Sequence, residues 1–169
     1  MTEQQRNERP GTALHIKIDQ LLTEARVVLP GAQALFGFQL SIVLTQAFEA
    51  LPAASRIVHA MSLGFVALAI MLLMAPAAYH RIVFAGEDTE DMHRTGSVLV
   101  TAATAPLALG LVGDIYVVIE KIAGTAAAIE AAAAAFVLLA GLWYGYPLAA
   151  ASLLERRAGS KPGASRQSR

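Results

Sequence analysis

The chain has 169 residues, of which 56% are hydrophobic and 15% charged, with 13 basic side chains balancing 13 acidic ones. An ordinary soluble domain carries roughly 45–50% apolar and about 25% charged residues, and a chain this short has too much surface to hide the surplus in one core. These figures exclude intrinsic disorder for most of the chain, and the lack of cysteine excludes disulfides, thiolate-ligated metals and thiol nucleophiles.

Residues 1–11 are polar, carry both charge signs and lack the basic start and short apolar core of a signal peptide. They are expected to be disordered. From 12 to 29, Leu14, Ile18, Leu21, Leu22, Ala25 and Leu29 recur at steps of three and four, with Lys17, Asp19, Glu24 and Arg26 on the other side. This spacing predicts an amphipathic helix lying along the membrane surface.

Four apolar stretches follow, at about 27–48, 57–79, 97–119 and 131–154. Each reaches the roughly 20 residues that a helix needs to cross about 30 Å of hydrocarbon, and none alternates as a barrel strand would. The first link contains Pro52, and the second carries Glu87, Asp88, Glu90 and Asp91. The third is ambiguous. Gly124 and the alanine run can open the fourth span early, with Glu130 inside it, or 121–130 can form an external turn and short helix. The second reading is preferred because it keeps a carboxylate out of the bilayer. The tail 155–169 is basic, rich in Gly and Ser, and expected to be flexible.

With four spans, the N-terminus, the middle loop and the C-terminus share one side. That side holds every Lys and Arg except Arg56 and Lys121. The bias predicts that both termini are cytoplasmic. The basic tail suits anionic lipid, and no folded basic motif argues for nucleic acid.

Between helices in lipid, association rests on close packing and a few hydrogen bonds. Gly141 and Gly145 form a GxxxG, and Ala102, Pro106, Gly110 and Asp114 lie four apart on the third span. These faces predict helix packing at Gly110, Gly141 and Gly145, within one bundle or between two copies. Pro76 and Pro106 predict kinks.

Polar groups inside spans ask for partners. Gln39 and Gln46 are seven apart on the first span, and Glu49 follows one turn later, about 27 Å from Gly31 at ~1.5 Å per residue. Together with Asp114 they make a candidate polar site in the outer half, suited to a cation or proton. The plainer reading is interhelical hydrogen bonding with ion pairs to Arg56 or Lys121. A second candidate cluster lies on the cytoplasmic side: Glu24, Arg26, Tyr79, His80 and Arg81. It serves either as an interfacial anchor or as a titrating Glu24–His80 pair. Asp91 and His93 read as a solvated loop, and His59 stands apart from any acid at metal-ligand spacing. No catalytic, metal or cofactor motif occurs, so no enzyme, metal site or cofactor is expected.

The run Leu21-Leu22-x-Glu24-x-Arg26-Val27-x-Leu29-Pro30-Gly31-x-Gln33-x-Leu35-Phe36-x-Phe38, with Ala75-Pro76-x-Ala78-Tyr79-His80-Arg81-x-x-Phe84 and Asp114-Ile115-Tyr116, resembles a family of small bacterial membrane proteins, domain of unknown function 6328. The likeness covers about 21–122. It implies a four-span inner-membrane protein and supplies no mechanism.

The residues and the resemblance together predict an all-α, transmembrane four-helix bundle with an N-terminal amphipathic interfacial helix. The expected role is structural or accessory in a bacterial inner membrane, binding lipid or a partner protein. The alternative is a small cation or proton transporter acting as an oligomer.

Overall fold

In the computed structural model, residues 10–83 and 89–159 are described. The expected disorder at 1–9, the residues Phe84, Glu87 and Asp88, and the tail from 160 onward lie outside the described residues. The fold is all-α, with no strand among the described residues. Its elements are α1 (Pro10–Val43), a short α2 (Gln46–Glu49), α3 (Ala53–Val83), α4 (Glu90–Ala123), α5 (Thr125–Ala140), a wide π turn (Gly141–Gly145) and α6 (Tyr146–Gly159). Four stretches are long and apolar enough to cross a membrane: Leu14–Val43, Ala53–Val83, Glu90–Ala123 and Thr125–Arg156. Each has 30 to 34 residues, so at ~1.5 Å per residue each exceeds the ~30 Å hydrocarbon thickness.

The central pair is α3 and α4, which share the most extensive contact; α1 packs on both, and α5 packs on α4. The buried residues of α3 are Ser55, His59, Ser62, Val66, Ala69, Leu73 and Pro76. They alternate steps of four and three, the seam of a left-handed helix pair. On α4 the buried Gly96, Ala103, Gly110 and Val117 recur every seven residues. On α1 the same interval links the buried Ile18, Ala25, Ala32 and Gln39. Ala25, Leu73 and Ala103 meet where α1, α3 and α4 converge.

Small residues set the separation of α3 and α4. A Cβ built on Gly110 would stand 2.5 Å from Val66 Cγ2 and 3.2 Å from the Ser62 carbonyl oxygen. A Cβ on Gly113 would run into the Ser62 hydroxyl. Close van der Waals contact of this kind is what associates apolar helices where the solvent is lipid.

Local chemistry explains the breaks. At the start of α4, the Met92 N–H donates to Thr89 Oγ1 at 3.2 Å, and Glu90 and Asp91 sit in the first turn, where the helix dipole favours acids. The helix ends at Gly124, whose φ of 85° with ψ of 173° is a conformation reserved for glycine. Its N–H donates to the Glu120 carbonyl, and the next residue opens α5.

Several expectations are corrected. The surface helix at 12–29 and the start of the first span form a single helix that begins at Pro10, runs through Pro30 and ends at Val43. The expected span 27–48 is broken at Leu44–Thr45, where the Thr45 hydroxyl accepts from the Phe48 N–H to start α2. The external segment preferred for 121–130 is absent: Gly124 alone turns the chain, so α5 starts at Thr125 and Glu130 lies on it, exposed. Asp91 and His93 belong to α4 rather than to a loop. The last helix continues through Gly159, into the segment expected to be a flexible tail.

The GxxxG is also corrected. Gly141 and Gly145 bound the π turn and are exposed. A Cβ on Gly141 would meet nothing within 4 Å. The Tyr146 N–H bonds back to the Gly141 carbonyl across five residues, and Pro147 follows directly. Proline has no N–H, and its ring collides with the carbonyl four residues back, so a widened turn ahead of it relieves the conflict. A hydrogen bond of 2.6 Å between the Thr104 and Tyr144 hydroxyls ties α4 to this turn.

Candidate functional site

The buried stripe on α1 ends in a polar side chain. Gln39 takes the position that the interval 18–25–32 assigns to the core, and it is 2% exposed. Its Nε2 donates to Asp114 Oδ2 on α4 at 2.7 Å. Burying an amide and a carboxyl group is costly unless they are paired, and here each supplies the other's partner. His59 of α3, 3% exposed, reaches the same place. Its Nε2 lies 3.0 Å from the Gln39 carbonyl oxygen. A carbonyl only accepts, so that nitrogen carries the proton. The ring of Phe48, from α2, meets the His59 ring edge-on at 5.2 Å between centroids. One residue from each of α1, α3 and α4 therefore converges below α2.

These groups form the wall of a cavity of about 470 Å³ between α1 and α4. Leu35, Phe38, Ile42, Phe48, Leu51 and Val117 are among its other lining residues, and Lys121 stands on the lining near the end of α4. Phe38, Ile42, Val118 and Ile122 line it and are also exposed, so the cavity opens sideways through an apolar rim. Its volume falls in the ~300–1,000 Å³ range of small-molecule sites, which are mostly apolar with a few convergent polar groups.

The four residues of the candidate outer site separate into two sets. Gln39 and Asp114 are in direct contact. Gln46 and Glu49 are exposed on α2, beyond the break at Thr45, and do not extend the face of Gln39. The seven-residue spacing of Gln39 and Gln46 holds only while the helix continues, and it stops at Val43. The ion pairs considered for Asp114 with Arg56 or Lys121 are not formed; Gln39 is its partner. Glu120 accepts from Thr125 Oγ1 at 3.2 Å and from the Tyr116 hydroxyl at 3.4 Å. Sequence reasoning passed over His59. Its signal was its place in the four-and-three stripe of α3, which uniform hydropathy conceals.

The second cluster also divides. Glu24 and Arg26 are exposed on α1, Tyr79 and His80 are half-buried on α3, and Arg81 is exposed. Glu24 and Arg81 form no ion pair among the described residues. Glu24 instead lines a polar cavity of about 200 Å³ with Lys17, Gln20, Leu21, His93 and Ser97. The neighbour it meets is α4, because Leu21 lies against Gly96 there: a Cβ on Gly96 would come within 2.5 Å of Leu21 Cδ2. Of the three packing glycines, Gly110 is buried at a helix contact, while Gly141 and Gly145 are not. No group of three or more metal-ligating side chains occurs among the described residues.

Comparison with known proteins adds one finding. No curated protein and no solved structure matches the chain. The model of a family of unknown function, DUF6328, matches residues 3–147, which take in α1 to α5 and the π turn. Since that match spans most of the sequence, the chain belongs to the DUF6328 family.

Proposed function

We propose that this protein is a non-catalytic accessory protein of a bacterial inner membrane, with both termini cytoplasmic, which binds a lipid-like molecule in the cleft between α1 and α4. The observation that carries this reading is the shape and lining of the cleft. It is an apolar space of about 470 Å³ with an exposed apolar rim and one polar pair in its lining, the buried Gln39 and the half-buried Asp114. Such walls accommodate a flexible apolar tail as well as the bilayer does, while the polar pair fixes the other end. The distribution of Lys and Arg supports the orientation, since only Arg56 and Lys121 lie on the proposed outer side.

The test is photolabelling of the full chain in lipid nanodiscs with a diazirine-bearing alkyl alcohol, followed by peptide mapping. Labels are expected on 35–51 and 117–122, and Val118→Trp, which fills the rim, is expected to reduce them several-fold. Labelling spread evenly over all exposed apolar helix faces would contradict the reading.

Transport of a cation or proton draws on the same Asp114, but Gln46 and Glu49 stand apart from it and do not extend a relay. Liposomes carrying the protein under a sodium, potassium or proton gradient are expected to leak no faster than empty ones. A flux abolished by Asp114→Asn would establish transport instead.

A further inference from the structure

If the cleft holds a lipid-like chain, the polar atoms on its wall select the head that chain carries; this step rests on the reading above. Gln39 uses its Nε2 on Asp114, while its Oε1 is buried and has no hydrogen-bond partner among the described residues. The carboxylate accepts and the amide nitrogen donates, so the amide is turned with its nitrogen toward Asp114. An acceptor is left over on a residue of a lining that is otherwise almost wholly apolar. A buried amide oxygen without a partner is unfavourable, and native proteins rarely leave one so unless something else occupies the space.

The neighbours do not supply the missing donor. The Nε2–H of His59 is engaged with the Gln39 backbone carbonyl. Asp114, on the same lining, offers further acceptor capacity rather than a donor. Lys121, exposed at the end of α4, lines the same cavity but makes no hydrogen bond to Gln39 Oε1. The residues at the buried end of the lining therefore carry a spare acceptor and no spare donor.

We infer that the cleft takes an amphiphile whose head is a hydrogen-bond donor, a hydroxyl or an amine, placed between Gln39 Oε1 and Asp114 with its apolar tail toward the rim. An ether or ester head would set lone pairs against lone pairs. A hydroxyl satisfies Gln39 while remaining neutral. An amine adds a charge-assisted bond to Asp114.

The experiment uses the full chain in phosphatidylcholine nanodiscs, because that headgroup carries no hydrogen-bond donor. A diazirine-bearing 1-decanol is displaced by 1-decanol, decylamine or decyl methyl ether, and labelling of the 35–51 peptide is read. The alcohol and the amine are expected to displace the probe about two- to tenfold more effectively than the ether, the usual worth of one net hydrogen bond. Gln39→Leu is expected to reduce the advantage of the alcohol over the ether while labelling persists. An amine preference that survives Gln39→Leu and falls in Asp114→Asn would assign an amine head to the carboxylate. Equal displacement by all three compounds in the wild-type chain, or a preference for the ether, would overturn the inference but leave a tail-binding cleft intact. No labelling of that peptide would remove the cleft reading itself. Should Gln39→Leu fail to fold, the wild-type ranking decides alone.

Discussion

Gln39 and Gly110 do opposite work in the same seams. Gln39 places an amide at a core position and relies on Asp114 across the gap, so removing one partner strands the other. Gln39→Leu is expected to cost about 1–3 kcal/mol, the usual penalty for an unsatisfied buried group. Gln39→Leu combined with Asp114→Leu should cost less than the two single changes summed. Thermal unfolding of the four proteins in detergent checks this, and strict additivity would mean that the pair is not coupled. Gly110 supplies absence: nothing larger fits against Val66. Gly110→Val is expected to cost about 1–3 kcal/mol by overpacking. Gly141→Leu, with open space where its Cβ would be, should stay within about 0.5 kcal/mol. Equal melting shifts for both would contradict the packing described. The glycines could be found in the sequence, but not their roles. Gly141 and Gly145 match a familiar spacing, yet Pro147 turns that stretch into a π turn, and a motif read without its neighbours misses this.

At the scale of the element, turns decided most of what periodicity left open. The break at Thr45 detaches Gln46 and Glu49 from the face of Gln39, and Gly124 reverses the chain so sharply that Glu130 is carried into α5. Both signals were present as a Thr ahead of an apolar turn and a Gly after Lys121-Ile122-Ala123, but each competes with the helix formers around it. The four long apolar runs, by contrast, were plain, because length and hydropathy alone specify them. Their inward faces were not. When nearly every residue is apolar, the buried face of a helix is chosen by residue size rather than polarity, and Ser, Ala and Gly mark it only faintly. Gly124→Ala tests the turn. A side chain at φ 85° and ψ 173° is strained, and a loss of about 1–3 kcal/mol in unfolding free energy is expected. Unchanged stability would mean that the reversal does not depend on that conformation.

For the whole molecule, the arrangement is a tight α3–α4 pair with α1 leaning on both and α5 held against α4. The cleft lies between α1 and α4, where α1 ends and α2 crosses over. The charge distribution gives the molecule its proposed orientation, and the absence of native cysteine makes that simple to check. A single cysteine at Pro52 should react with an impermeant maleimide from outside intact cells, whereas one at Ser168 should react only after lysis. The reverse pattern would invert the topology. The central claim, a cleft that holds one apolar chain, is tested most directly by fluorescence. The sequence has one tryptophan, Trp143, so Trp143→Phe combined with Phe48→Trp places the only indole on the cleft wall, and Trp143→Phe with Leu148→Trp places it on an exposed face of α6. The account predicts that 11-bromo-1-undecanol in nanodiscs quenches the first protein with a saturating, one-to-one curve and the second in proportion to its mole fraction in the bilayer. Proportional quenching of both would contradict it.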